Sequence, residues 1–180
     1  VINPQKWLFV PIDFSAFYTR KPDILRRAFS LVPDYLKTSE DSQVDNLMDY
    51  SLQLGRRFRA LKLWFVIRLY GADGIASLIR NHIRLARKFA ERVEDTPGFE
   101  LMAPVPFSTV CFRAKPEQWD DDASLNRLNQ KLMDEINRSK SIYLSHTVLN
   151  GKFVLRLAIG NIRTEERHVE QAWRIITTSM

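Results

Sequence analysis

Hydrophobic and polar positions along this chain change their period several times, and each change predicts a different element. Residues 7–18, Trp7-Leu8-Phe9-Val10-Pro11-Ile12-Asp13-Phe14-Ser15-Ala16-Phe17-Tyr18, are too continuously apolar and too Pro-interrupted for a surface helix. They predict buried strand segments around a turn at Pro11. Residues 32–53 are polar, rich in Ser and Asp and weakly periodic, which predicts a long loop of the kind that usually has a task. From Gly55 onward the spacing becomes helical, with Phe58, Leu61, Trp64 or Phe65, and Arg68 or Leu69 recurring at three and four residues until Gly71. A second helix is expected over about 72–94, broken by Pro97 and Gly98.

Strands and helices alternate in the remainder. Phe107, Thr109, Cys111 and Arg113 alternate with Ser108, Val110 and Phe112, giving a strand that Pro116 closes. Asp122 is the expected N-cap of a helix carrying Leu125, Leu128, Leu132, Met133 and Ile136. Asn150-Gly151 between two β-rich runs predicts a two-residue type I′ hairpin, because both residues accept positive φ. That register pairs Val148 with Phe153, Leu144 with Leu157 and Ile142 with Ile159, and sets His146 opposite Leu155 on the apolar face. Thr164 is the expected cap of a last helix whose Val169, Ala172, Trp173 and Ile176 share a side. The pattern therefore predicts an α+β unit over residues 56–180, preceded by a segment, 1–55, that belongs to a different body.

At 180 residues the chain allows one domain, or one and a part. With 45% hydrophobic and 27% charged residues it is globular in composition. Lys62 and Arg68 interrupt its best apolar stretch, Leu61 to Tyr70, so no run reaches the roughly 18 residues of a membrane span. The single cysteine, Cys111, cannot form an internal disulfide, and this suits a reducing, cytoplasmic setting. The start, Val1-Ile2-Asn3-Pro4, lacks an initiator Met and a leader pattern, so a fragment or processed piece is expected. Net charge is +6, and residues 51–92 hold ten Lys and Arg against Asp73 and Glu91. Arg80, Arg84, Arg87 and Lys88 recur at helical spacing opposite Ile75, Leu78, Ile79, Leu85, Phe89 and Val93, which reads as a solvated helix face. No zinc-finger or RNA-binding motif accompanies it, so no nucleic-acid partner is expected.

Candidate chemistry is sparse on spacing alone. His82, His146 and His168 have no Cys or His at metal-ligand spacing, so no metal is expected and His146 reads as a hydrogen-bonded structural histidine. Cys111 reads as a small buried hydrophobe. The six glycines form no phosphate-binding loop. Lys6, beside Trp7, reads by itself as an ordinary surface lysine.

Three motifs in combination change that reading: Asn3-Pro4-Gln5-Lys6-Trp7, Pro33-Asp34-Tyr35-Leu36-Lys37, and Leu54-Gly55-Arg56-Arg57-Phe58-Arg59. Together with Arg57 to Trp64, Val110-Cys111-Phe112-Arg113, Phe153 to Ala158 and Glu165 to Val169, they make the chain resemble the carboxy-terminal part of the group II pyridoxal-phosphate decarboxylases, the aromatic-L-amino-acid decarboxylase family. The resemblance implies an α/β architecture: residues 1–55 end a large cofactor-binding domain of PLP fold type I, and residues 56–180 form an α+β small domain with an antiparallel hairpin. It implies pyridoxal 5'-phosphate as cofactor, Lys6 as the Schiff-base lysine, Asn3 at the cofactor phosphate, and Gln5 where the family has a histidine. A glutamine hydrogen-bonds there but does not titrate near neutral pH. Tyr35 matches the loop tyrosine that returns a proton to the substrate carbon, where aldehyde-forming relatives tend to carry phenylalanine. Gly55 matches a substrate-pocket position where glycine leaves room for an indole. Arg156 is read from the residues themselves: it lies on the hairpin face opposite the apolar one, from which a substrate carboxylate or the loop is within reach of a charge-assisted bond, and a helix-end or interface ion pair is the favoured alternative. The implied activity is carboxy-lyase chemistry on an aromatic amino acid in a cytoplasmic homodimer. Because the family's upstream part supplies the acid facing the pyridine nitrogen, the chain alone is expected to be inactive. The alternatives are a non-catalytic truncated small domain acting as a dimerisation module, and an aromatic acetaldehyde synthase.

Overall fold

The structure is a computed structural model that describes residues 1–31, 35, 39–40 and 43–180. Contacts divide it into two units, Val1–Leu69 and Tyr70–Met180. The first unit takes in the opening turns of the long helix as well as residues 1–55.

In the first unit, α1 is a single turn, Pro4–Trp7, and α2 spans Pro22–Phe29. Each has proline at its start, where the missing N–H costs nothing, and α2 adds Asp23 in its first turn and Arg26 and Arg27 in its last. A 3-10 turn follows at Leu47–Tyr50. The strands expected over 7–18 do not form among the described residues. Pro11 removes a donor from the middle of the run, and the chain instead folds back on α1. Val10 donates to the Pro4 carbonyl at 3.3 Å, and Ile2 and Ala16 make one antiparallel bridge with both bonds at 2.8 Å. Val10 and Phe14 are buried, whereas Ile12, Phe17 and Tyr18 are exposed.

Helix α3 spans Ala60–Asp95 and breaks at Gly71, whose φ of 64° and ψ of 176° only glycine adopts readily. The break falls where the pattern predicts one. Its start lies later than Gly55, because Arg57 and Arg59 turn toward Asp13 before the helix begins. Arg57 Nη2 donates to both carboxylate oxygens at 2.9 and 2.8 Å, Arg59 Nε donates at 3.0 Å, and Lys62 Nζ donates to the Asp13 carbonyl at 2.9 Å.

The second unit is an antiparallel sheet of β1 (Phe99–Leu101), β2 (Thr109–Ala114), β3 (Ser145–Leu149) and β4 (Lys152–Ala158), in the order β1-β2-β4-β3. Two further helices, α4 (Asp122–Arg138) and α5 (Glu166–Thr178), complete it. Val110, Phe112 and Leu155 on one face of the sheet share a core with Leu85, Phe89 and Val93 of α3, Leu132 and Ile136 of α4, and Val169 and Ile176 of α5. Phe89 lies at its centre, edge-on to Phe112 at 5.3 Å and to Trp173 at 5.4 Å. Each such side chain contributes about 1.5–3 kcal/mol through burial.

The hairpin forms as expected, with Asn150 and Gly151 at φ 50° and 79° and Val148 opposite Phe153. Two of its expected pairs do not form. The N–H and C=O of Leu144 go to the Asn137 amide at 2.8 and 2.9 Å, and the Ile159 N–H goes to the Ser108 carbonyl at 2.8 Å. Helix α4 repeats this device twice. Asn129 accepts from the Ala114 N–H at 2.7 Å and donates to its carbonyl at 2.8 Å, just beyond Phe112–Leu155, the last β2–β4 pair. Asn126 accepts from the Phe153 N–H at 2.7 Å and donates to the Gly151 carbonyl at 3.0 Å. Three asparagines on one helix thus satisfy strand groups that the ladder leaves unpaired.

Other expectations need correction. His146 lies opposite Leu155 but is exposed, because β3 is an edge strand; its ring stacks on Phe153 at 4.7 Å. Cys111 is half-buried, on the sheet face away from the core. Asp121, not Asp122, caps α4, and Asp122 is left to bind Arg113 at 2.8 Å. Glu165, not Thr164, caps α5, and His168 Nδ1 closes the capping box by accepting the Glu165 N–H at 3.0 Å. The basic face of α3 is partly committed: Arg84 and Lys88 pair with Glu166, and Arg92 pairs with Glu170 at 2.9 Å, so cations expected in solvent tie α5 to α3.

Candidate functional site

The Asn3-Pro4-Gln5-Lys6-Trp7 motif becomes a helical turn whose side chains divide between structure and solvent. Pro4 is buried and starts the turn, and Lys6 N–H bonds the Asn3 carbonyl at 3.0 Å. Gln5 Oε1 accepts the Phe14 N–H at 2.6 Å, so the residue that replaces a titratable histidine in the resemblance holds the returning segment in place. Asn3 Oδ1 accepts from Ser15 Oγ at 2.5 Å, leaving its Nδ2 as an outward donor. Lys6 is exposed, and no described residue pairs with its amine. The turn therefore presents a primary amine flanked by amide donors, with the nearby acid, Asp13, held by Arg57, Arg59 and Lys62. Hydrogen bonding from Arg59 foremost, then to main chain, with the charges of Arg57 and Arg59, holds the Asp13 carboxyl down at about 2 against the usual 3.8.

The structure unites Asn3, Gln5 and Lys6 on α1 and sets the other expected site residues elsewhere. Tyr35 lies in the first unit and is exposed; its motif neighbours Pro33, Asp34, Leu36 and Lys37 fall outside the described residues. Gly55 is exposed, and a Cβ added there meets nothing within 4 Å, so it closes no pocket wall by itself. Beside it in sequence, a concavity of about 430 Å³ is lined by Phe14, Ser15, Leu47, Arg56, Phe58 and Ala60, among others. Arg156 belongs to the second unit, half-buried on the sheet face away from the core, opposite Cys111 and Ser145. It has no ion-pair partner among the described residues. His82 is buried, its ring bonded to the Asn161 main chain, and burial pushes its pKa down. No group of three potential metal ligands occurs among the described residues. Sequence reasoning missed Ser15, Asp13 and Asp49. A Ser or Asp within an apolar run gives no periodic signal, and only the return of the chain onto α1 and α2 assigns them partners.

Comparison with known proteins supplies the chemistry that the turn leaves open. The profile of the pyridoxal-dependent decarboxylase conserved domain matches residues 1–115. The chain belongs to the pyridoxal-dependent decarboxylase family. Within that family it is 44% identical over 177 residues to phenylacetaldehyde synthase of Arabidopsis thaliana, covering 97% of this chain and 36% of that protein. It is likewise 44% identical over 177 residues to tryptophan decarboxylase 2 of Oryza sativa subsp. japonica, covering 97% and 35%. The crystal structure of Oryza sativa TDC with PLP and tryptamine superposes with a TM-score of 0.91 at 35% identity, over 98% of this chain and 37% of that one. Catharanthus roseus tryptophan decarboxylase in complex with L-tryptophan gives 0.86 at 36% identity, over 98% and 37%. The chain thus spans about a third of the length of the relatives it matches. The donor set on α1 fits the cofactor of this pyridoxal-dependent family: an unpaired amine suits an aldehyde, and outward amide N–H groups suit a phosphate.

Proposed function

We propose that the protein containing this chain removes carbon dioxide from an aromatic L-amino acid and releases the amine, using pyridoxal 5'-phosphate held by Lys6. The observation that carries the reading is the exposed Lys6 amine, unpartnered among the described residues, on the Pro4-started turn, with Asn3 and Gln5 beside it. In this reading Lys6 Nζ binds the cofactor covalently, the Asn3 amide meets its phosphate, and Gln5 keeps α1 in register with Phe14. When bound, the cofactor supplies an electron sink for bond breaking at the substrate α-carbon. The Tyr35 phenol delivers a proton to that carbon after carbon dioxide leaves. Gly55 leaves space for the aromatic side chain, and Arg156 serves the carboxylate or the segment around Tyr35. Residues 1–55 form the end of the cofactor-binding domain and 56–180 the small domain of a cytoplasmic homodimer. The 180-residue chain alone is expected to release no detectable amine, because the resemblance assigns the acid that keeps the pyridine nitrogen protonated to the family's upstream part.

A second reading, aromatic acetaldehyde synthase, is favoured by the 44% identity to phenylacetaldehyde synthase. There the amino acid, dioxygen and water give aldehyde, carbon dioxide, ammonia and hydrogen peroxide. The proton donor decides between the two, and Tyr35 supports amine release. The test is product analysis of the complete protein with phenylalanine, tyrosine, tryptophan and dopa. Amine without hydrogen peroxide is expected, with Tyr35→Phe moving the products toward aldehyde and peroxide. Aldehyde from the unmodified protein would establish the second reading.

A further inference from the structure

The segment that folds back on α1 brings a hydroxyl to the residue that opens the turn. Ile2 and Ala16 exchange both main-chain bonds at 2.8 Å, so the next pair in that antiparallel register is Asn3 opposite Ser15. Their side chains use the placement: Ser15 Oγ donates to Asn3 Oδ1 at 2.5 Å. One step further along, Gln5 Oε1 accepts the Phe14 N–H at 2.6 Å, and Ser15 is therefore held through both of its chain neighbours. Asn3 is fixed from its own side as well, because its carbonyl accepts the Lys6 N–H at 3.0 Å.

A carboxamide has two ends of opposite character. Nδ2 turned outward donates to a phosphate, whereas Oδ1 turned outward repels one, and an unrestrained asparagine side chain rotates to offer either. A hydroxyl that donates to Oδ1 settles the choice, since it satisfies the acceptor and leaves the Nδ2 hydrogens free. We propose that Ser15 is a positioning residue for the cofactor phosphate: its hydroxyl holds the Asn3 amide so that Nδ2 faces the anion. Ser15 touches neither cofactor nor substrate in this account. Because Asn3 and Lys6 share one turn, the same bond keeps the phosphate donor in register with the amine that meets the aldehyde. The inference rests on the assignment of Asn3 to the phosphate.

The experiment titrates the cofactor-free form of the complete protein with pyridoxal 5'-phosphate and with pyridoxal, which lacks the phosphate, and reads the visible absorbance of the bound cofactor. The variants are Asn3→Ala, Ser15→Ala, Ser15→Thr and the double substitution Asn3→Ala with Ser15→Ala. Asn3→Ala should weaken pyridoxal 5'-phosphate binding about tenfold and Ser15→Ala about threefold to fivefold, with pyridoxal binding within about twofold in both. Ser15→Thr, which keeps the hydroxyl, should recover most of the affinity. The double variant should bind no more weakly than Asn3→Ala, since Ser15 acts through Asn3. Ser15 is exposed, so these substitutions spare the fold. Equal weakening of both ligands by Ser15→Ala, or additive losses in the double variant, would mean that Ser15 serves the turn as a whole and would overturn the proposal. Unchanged binding in Ser15→Ala, with Asn3→Ala weakened, would overturn the positioning role alone. Unchanged binding in Asn3→Ala would overturn the assignment of Asn3 to the phosphate, and the proposal with it.

Discussion

The two units of this chain are held by different forces. In the second, α3, α4, α5 and the sheet share an apolar core around Phe89 and Phe112, and polar groups complete the strand ends and tie helix surfaces around it. In the first, Pro4, Val10 and Phe14 are the buried apolar side chains among the described residues, and polar ties do the rest: Gln5 to Phe14, Asn3 to Ser15, Arg57 and Arg59 to Asp13, Arg26 to Asp49. The expected site residues concentrate in this polar-tied unit. Directional bonds place an amine or a phenol without burying it, which a reactive group needs.

The contrast is sharpest under substitution. Phe89→Ala removes the centre of the second unit's core and should cost about 3–5 kcal/mol in chemical denaturation. A loss below about 1 kcal/mol would mean that the core collapses around the gap and that the units differ less than described. Asn129→Ala leaves the buried Ala114 N–H and C=O without partners and should cost about 2–3 kcal/mol. Asn129→Asp, which keeps an acceptor but loses the donor, should not restore it.

The first unit should instead respond to acid. The Asp13 carboxyl is held down at about 2, below the 3.8 of the free group. Its contribution is therefore complete above about pH 4 and is lost as pH falls toward 2. Denaturation curves of the chain and of Asp13→Asn should converge over that interval, and parallel curves would show that the Arg57 and Arg59 bonds contribute nothing to folding. Glu166→Gln, which loosens Arg84 and Lys88 from α5, should have the smallest effect, one that added salt erases, because all three side chains are well exposed.

The same contrast explains what the sequence made legible. Periodicity located α3 and its break at Gly71, the helical faces of α4 and α5, strand β2 and the Asn150-Gly151 hairpin, because burial imposes a period. It erred where a side chain replaces a main-chain partner. Asn137 intercepts Leu144 and shortens β3, Asp121 takes the cap from Asp122, and Glu165 takes it from Thr164. Residues 7–18 misled because apolar content was read as strand content, whereas their partner is α1 and not a neighbouring strand. The alternation of faces along the hairpin singled out Arg156, whereas Lys6, Asn3, Gln5, Tyr35 and Gly55 had no periodic signature at all. Motif resemblance singled them out, and the structure adds that Gln5 and Asn3 are spent partly on holding the turn that presents Lys6.

The central claim is that the Lys6 amine carries the cofactor. Borohydride reduction of the complete protein, followed by peptide mapping, tests it most directly. The phosphopyridoxyl group should appear on the Lys6 peptide and be lost in Lys6→Ala together with the visible absorbance of the bound cofactor. Label on another lysine, or retention of the absorbance in Lys6→Ala, would contradict it.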